Sequence, residues 1–181
     1  NESKIKGLYV VELQPLIDER GFFVRSYCDK ALRRAGITKS IKQINHSFTS
    51  KVGTIRGMHY QHLPHVEIKM VRCIAGEIFD VAIDLRKGSD TFLQWHGEYL
   101  SAGDFKMMVI PEGFAHGFQA IKKNTEVFYP TTASYTPRAE AGILFSDESI
   151  GIEWPLRATN VSDKDLKHIA LTKEFKGINI K

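Results

Sequence analysis

The chain has 181 residues, about the size of one domain, with 43% hydrophobic and 25% charged side chains and a net charge of +4. That balance excludes a disordered tail, a collagen-like chain or a low-complexity scaffold, and no apolar run nears the roughly 18 residues of a membrane span. The 25 basic residues are dispersed rather than set in a stripe, which argues against a nucleic-acid footprint. The modest excess suits a small anionic ligand as well as it suits a merely solvated basic surface.

In chain order, residues 8–13 and 21–27 read as strands, and 29–35 as a short helix. Strand patterns follow at 54–61 and 69–75. Residues 77–86 carry the clearest signal: Phe79, Val81, Ile83 and Leu85 alternate with Asp80, Asp84 and Arg86, the period of a half-buried strand. Further strands are expected at 95–100, 106–110, 114–121 and 126–132, rich in Val, Ile, Phe and Tyr. A second short helix is expected at 163–169. Gly53, Gly76, Gly88, Gly103 and Gly113 punctuate the series. Strands spaced about ten residues apart predict a single all-β domain over 1–181, a sandwich or jelly-roll barrel with short helices. No N-terminal stretch pairs a basic start with an apolar core, and Cys28 and Cys73 form no spaced framework; both fit a reducing cytoplasm.

Polar side chains inside the strand-like stretches are the candidates for chemistry: His59, Gln61, Lys69, Arg72, His116 and Tyr129. Each alone reads as solvent decoration; together they argue for a polar interior, such as the mouth of a roll. His59 can act as a base near neutral pH but needs a carboxylate from elsewhere in the chain. Ideal alternation sets Arg56 and His59 on opposite faces, so a shared pocket requires a bulge or a twist, with Gly57 one place for it. Pro111, Gly113 and His116 have the spacing of a cupin's second metal motif. The first motif's His-x-His is missing, because His59, His62 and His65 are three apart and alternate faces. Ser162 and Asp165 have the spacing of a helix cap, which by itself accounts for both.

These segments, in this order, closely resemble the dTDP-4-dehydrorhamnose 3,5-epimerase family of cupins. The likeness runs through Asp18-Glu19-Arg20-Gly21-Phe22-Phe23, residues 43–47, Arg56-Gly57-Met58-His59-Tyr60-Gln61 and residues 69–73. It continues through residues 76–86, residues 110–118, Tyr129, Tyr135-Thr136-Pro137, Glu140 and residues 147–155. The resemblance implies a cupin-type jelly roll, a homodimer whose subunits share their sites, and no metal or other cofactor. It implies a dTDP-linked 4-keto sugar as substrate and a place in rhamnose-like deoxysugar biosynthesis. By the same resemblance His59 is the base, Asp165 its orienting carboxylate, Tyr129 the acid on the other face of the sugar, and Lys69 the cation at the enolate oxygen. Arg56 and His116 match positions lining the sugar and diphosphate. Arg20, Phe22, Gln43, Asn45, Tyr135 and Glu140 match positions on the nucleotide side, some reaching a partner's site.

Four residues depart from the pattern usual in rhamnose-pathway members: Arg25, Ile44, Glu67 with Ile68, and Pro130. They flank matched positions and leave the acid–base set intact. Three alternatives stand beside an epimerase inverting C3, C5 or both: a single-centre epimerase of another deoxysugar pathway, a sugar-nucleotide binder without activity, and a metal-dependent cupin oxygenase.

Overall fold

The computed structural model describes residues 1–180. One sheet has the order β1 (Tyr9–Glu12), β9 (Lys106–Ile110), β6 (Lys69–Ala75), β11 (Thr125–Thr131), β4 (Gln43–Thr49). The other runs β12 (Glu140–Gly142), β5 (Thr54–Gln61), β10 (Phe114–Ala120), β7 (Glu77–Asp84), β8 (Trp95–Ser101), with β13 (Asn160–Val161) parallel beside β5. A separate hairpin joins β2 (Leu16–Asp18) to β3 (Gly21–Phe23). From β4 to β12 successive strands alternate between the two sheets, except for the β7–β8 hairpin. That alternation winds the chain into a jelly roll with two short helices, α1 (Asp29–Arg34) and α2 (Asp163–Leu166).

Between the sheets lies a core that includes Val71, Ile78, Leu100, Met108, Phe114 and Val127. A second apolar layer covers the outer face of the β5–β10–β7–β8 sheet. There Val81, Ile83 and Ala115 pack under Ile143, Ile150, Trp154 and Phe175 of the C-terminal segment. The Trp154 indole donates to the Phe145 carbonyl at 2.8 Å, fixing that segment in place.

This second layer corrects the half-buried reading of β7. The alternation is present, but neither face meets solvent: the apolar face lies under the C-terminal segment, and Asp80 and Asp84 are fully buried on the other. Asp84 accepts from the Arg86 guanidinium at 2.7 Å and from the Ser89 and Thr91 hydroxyls at 2.6 Å each. Burial would raise its carboxyl, but these donors outweigh it and hold the group below the usual carboxylate range. Two other expectations shift. Residues 24–27 leave the strand after Phe23, and β4 is a full strand over residues with no strand prediction.

Leu100 is fully buried in the inter-sheet core. Leu100→Ala is expected to cost about 2–5 kcal/mol, the transfer loss plus an unfilled cavity, read as a lower urea midpoint at unchanged slope.

Candidate active site

β5 carries Arg56 and His59, three residues apart. Against β10, His59 stands opposite His116 and Arg56 opposite Phe118, so three steps on β5 match two on β10. The additional residue is a bulge at Gly57, whose φ of +126° is open to glycine and strained for other residues. A Cβ on Gly57 would come within 2.6 Å of the Gly117 Cα and 2.8 Å of the His116 carbonyl oxygen, so the crossing has no room for a side chain. The bulge, one of the two devices the spacing allowed, turns Arg56 and His59 toward one cavity.

That cavity, of about 460 Å³, opens between the sheets. One wall is the second sheet, with Arg56 and His59 on β5 and His116 on β10; the facing wall brings Lys69 from β6 and Tyr129 from β11. The end is closed by Ser162, Lys164 and Asp165 of the C-terminal segment. Ser162 caps α2 as its spacing suggests, its hydroxyl accepting from the Asp165 amide. Asp165 does more than the capping pattern asks. Its buried carboxylate accepts from His59 Nε2 at 2.7 Å and from the Gly57 amide at 3.2 Å. Burial would raise this carboxyl, yet His59 and the Gly57 and Ser162 donors hold it below its usual range. An ionised carboxylate only accepts, so His59 Nε2 carries the proton and Nδ1 is left with a free lone pair.

A second imidazole–carboxylate pair adjoins the first. His116 Nε2 lies 2.7 Å from Asp80 Oδ1, and both residues are buried. Burial pushes the Asp80 carboxyl up, against the pull of His116, Lys69 and His96. The alternation of β7 sets Asp80 on the face expected to meet solvent; the signal for its burial is an acidic residue between apolar neighbours midway along the strand. Across the cavity, burial pushes the Tyr129 phenol up and the charge of Glu67 adds to this, so the hydroxyl keeps its proton.

Gln43, Asn45, Tyr135 and Glu140 line a smaller adjoining cavity of about 150 Å³ that shares His59, Lys69 and Tyr129 with the first. The Tyr135 hydroxyl donates to Glu140 at 2.7 Å, and Lys164 pairs with Glu140 at 2.6 Å. Arg20 and Phe22 line neither cavity. They sit on the β2–β3 hairpin, where Arg20 pairs with Asp18 and the Phe22 ring meets Phe105 edge-on at 4.8 Å. Of the four departures, Glu67 alone lines a site cavity, 3.4 Å from Lys69. Ile44 and Pro130 are register partners lining an outer groove, and Arg25 lines another groove beside α1. Among the described residues, metal-ligating side chains gather at His59, Asp165 and His168.

Because the Asp165 carboxyl is depressed on folding, its contribution to stability is present above the unfolded value near pH 4 and is lost as pH falls through the folded value. Thermal melts of the native chain and Asp165→Asn are expected to differ most near pH 7 and to converge in acid. A gap that stays constant down to about pH 2 would contradict the depressed carboxyl.

Comparison with known proteins identifies the family and the fold. The sequence model of the dTDP-4-dehydrorhamnose 3,5-epimerase family matches residues 2–173. A dTDP-4-dehydrorhamnose 3,5-epimerase of Shigella flexneri is 45% identical over 166 residues, covering 91% of each chain. The crystal structure of such an enzyme from Bacillus anthracis, with TDP and PPi bound, superposes with a TM-score of 0.91 at 38% identity, covering 94% of this chain and 97% of that one. A Legionella pneumophila epimerase in complex with dTDP-4-keto-L-rhamnose gives 0.91 at 36% identity, covering 99% and 96%. Among the described residues no helix is long and apolar enough to cross a membrane.

Proposed function

The chain belongs to the dTDP-4-dehydrorhamnose 3,5-epimerase family and is an epimerase, and we propose that it acts on a dTDP-linked 4-keto-6-deoxyhexose, inverting C3 and C5. The support is above all one arrangement: His59 with its carboxylate stands on one wall of the cavity, and Tyr129 with Lys69 on the other. A sugar ring held between the walls has a base on one face and an acid on the opposite face, which is what inversion demands.

Protons on C3 and C5 are acidic because both carbons adjoin the C4 ketone. His59 Nδ1 takes the proton, and Asp165 holds the resulting imidazolium through Nε2–H. Negative charge moves to the ketone oxygen, where the Lys69 ammonium stabilises the enolate. Tyr129, kept protonated by burial and by Glu67, returns a proton from the other side. Arg56 and His116 would hold the diphosphate and sugar, with Gln43, Asn45, Tyr135 and Glu140 toward the nucleotide. No metal enters these steps. The free cysteines Cys28 and Cys73 suit a cytoplasmic enzyme, and the inter-sheet core suits a single domain.

Proton NMR of dTDP-4-keto-6-deoxyglucose with the protein in D₂O tests this reading. Deuterium is expected at C3 and C5 with inversion at both; deuterium at one centre would make it a single-centre enzyme, and none would mean a different nucleotide sugar or a binder. His59→Ala should abolish exchange at every centre. Tyr129→Phe should slow inversion by about 10²–10⁴-fold while some exchange persists on the His59 face; exchange and inversion falling in parallel would break the two-face assignment.

The reading includes a homodimer. The β2–β3 hairpin exposes Ile17 at 75% and Phe22 at 60%, and the outer face of β4 exposes Ile44 and Phe48. Such exposed apolar side chains mark an interaction site, and Arg20 and Phe22, outside their own chain's cavity, suit the nucleotide end of a partner's. Sedimentation is expected to give a dimer, and the double variant Ile17→Ser, Phe22→Ser a monomer with raised KM. A native monomer that is fully active would refute the shared site.

A further inference from the structure

Behind the His59–Asp165 pair lies a third side chain that the acid–base steps do not use. His168 follows α2, and its ring packs edge-to-face on His59, with centroids 5.5 Å apart at 79°. Its Nε2 is buried, has no hydrogen-bond partner among the described residues, and lies 3.7 Å from Asp165 Oδ1, too far for a hydrogen bond. Room for the ring comes from Gly142, the β12 residue paired with His59: a Cβ there would overlap the imidazole. Two imidazoles and a carboxylate thus converge from β5, α2 and the turn beyond it, their donor atoms within 4.8 Å of one another.

We propose that His59, Asp165 and His168 form an inhibitory binding site for a borderline-soft divalent cation of the zinc class. Zinc takes imidazole nitrogen at about 2.0–2.1 Å and carboxylate oxygen at about 2.0–2.2 Å, in a donor set of this composition. The two imidazoles need to close by about an ångström to reach those distances. His168 Nε2 breaks no hydrogen bond in doing so, and the Asp165 oxygen exchanges one His59 proton for the ion.

The consequence for the base is a change of tautomer with no net change in protons. Zinc occupies the Nε2 lone pair, and the proton that Nε2 donated to Asp165 moves to Nδ1. Nδ1 is the atom that accepts the sugar's proton, so the metal-bound imidazole is neutral, correctly placed and unable to act as a base. Hard cations such as magnesium, which favour oxygen ligands, should not do this. The effect on rate rests on the epimerase reading; the binding does not.

The test uses protein stripped with EDTA and exchanged into metal-free buffer. Calorimetric titration with zinc alone is expected to show one equivalent bound per chain, and epimerisation should fall to its floor at that stoichiometry, with recovery on adding EDTA and no response to magnesium. His168→Leu and the polar His168→Asn should keep the metal-free rate, while the zinc needed for half-inhibition rises by about tenfold or more. Failure of the native chain to bind zinc, or equal binding and inhibition in both variants, would overturn the site. Stoichiometric binding that is lost in the variants but leaves the native rate untouched would uphold the site and remove His59 as the base.

Discussion

The close approach of Gly57 to Gly117 is the constraint on which the rest of the site depends. In a regular ladder Arg56 and His59 face opposite sides of the sheet, one into the roll and one into the C-terminal layer. A single bulged residue, possible because two glycines meet without side chains, puts both on the inner wall. The same turn of the backbone points the Gly57 amide at Asp165, so the feature that aims the base also holds its carboxylate. Geometry and electrostatics are set together at this crossing.

A second theme is an interior that is polar by design. Jelly rolls usually bury apolar faces between their sheets, and half of this one does so. The other half holds Asp80, His116, Lys69 and Asp165, groups whose burial is costly unless each meets a partner. They do meet: His59 with Asp165, His116 with Asp80, Lys69 beside Glu67. The opposing effects on two similar carboxyls show how closely environment decides. Asp165, with several donors, is held low, while Asp80, with one oxygen unpartnered, is pushed up.

Much of this was legible in the sequence. Alternating Val, Ile and Phe between glycine turns gave away the strands, and an excess of polar residues within them gave away the cavity. The need for a bulge or twist between Arg56 and His59 followed from spacing; that it is a bulge is seen only in the pairing of β5 with β10. What the residues could not disclose was what covers each face. The polar side of β7 looked wet because nothing nearby announces that His116 pairs with Asp80 or that residues 143–175 roof the other side. β4 was missed for the converse reason: Gln43, Asn45 and Ser47 face inward while Ile44 and Phe48 face out, inverting the usual polarity of a strand. His168 carried no signal, since its neighbourhood with His59 exists only in the folded chain. Arg20 and Phe22 were singled out by resemblance, and a single chain leaves them outside both cavities.

The C-terminal segment serves two ends at once, roofing the second sheet with Ile150, Trp154 and Phe175 and delivering Asp165 to His59. Synthesis on the ribosome proceeds from the N-terminus, so this segment emerges after the strands it roofs. A chain released before residue 143 would carry a histidine without its carboxylate and a sheet with its apolar outer face bare. The lesion that disarms the enzyme also exposes the surface that chaperones and proteases recognise, so half-made copies are marked for removal by the same missing residues that leave them inactive.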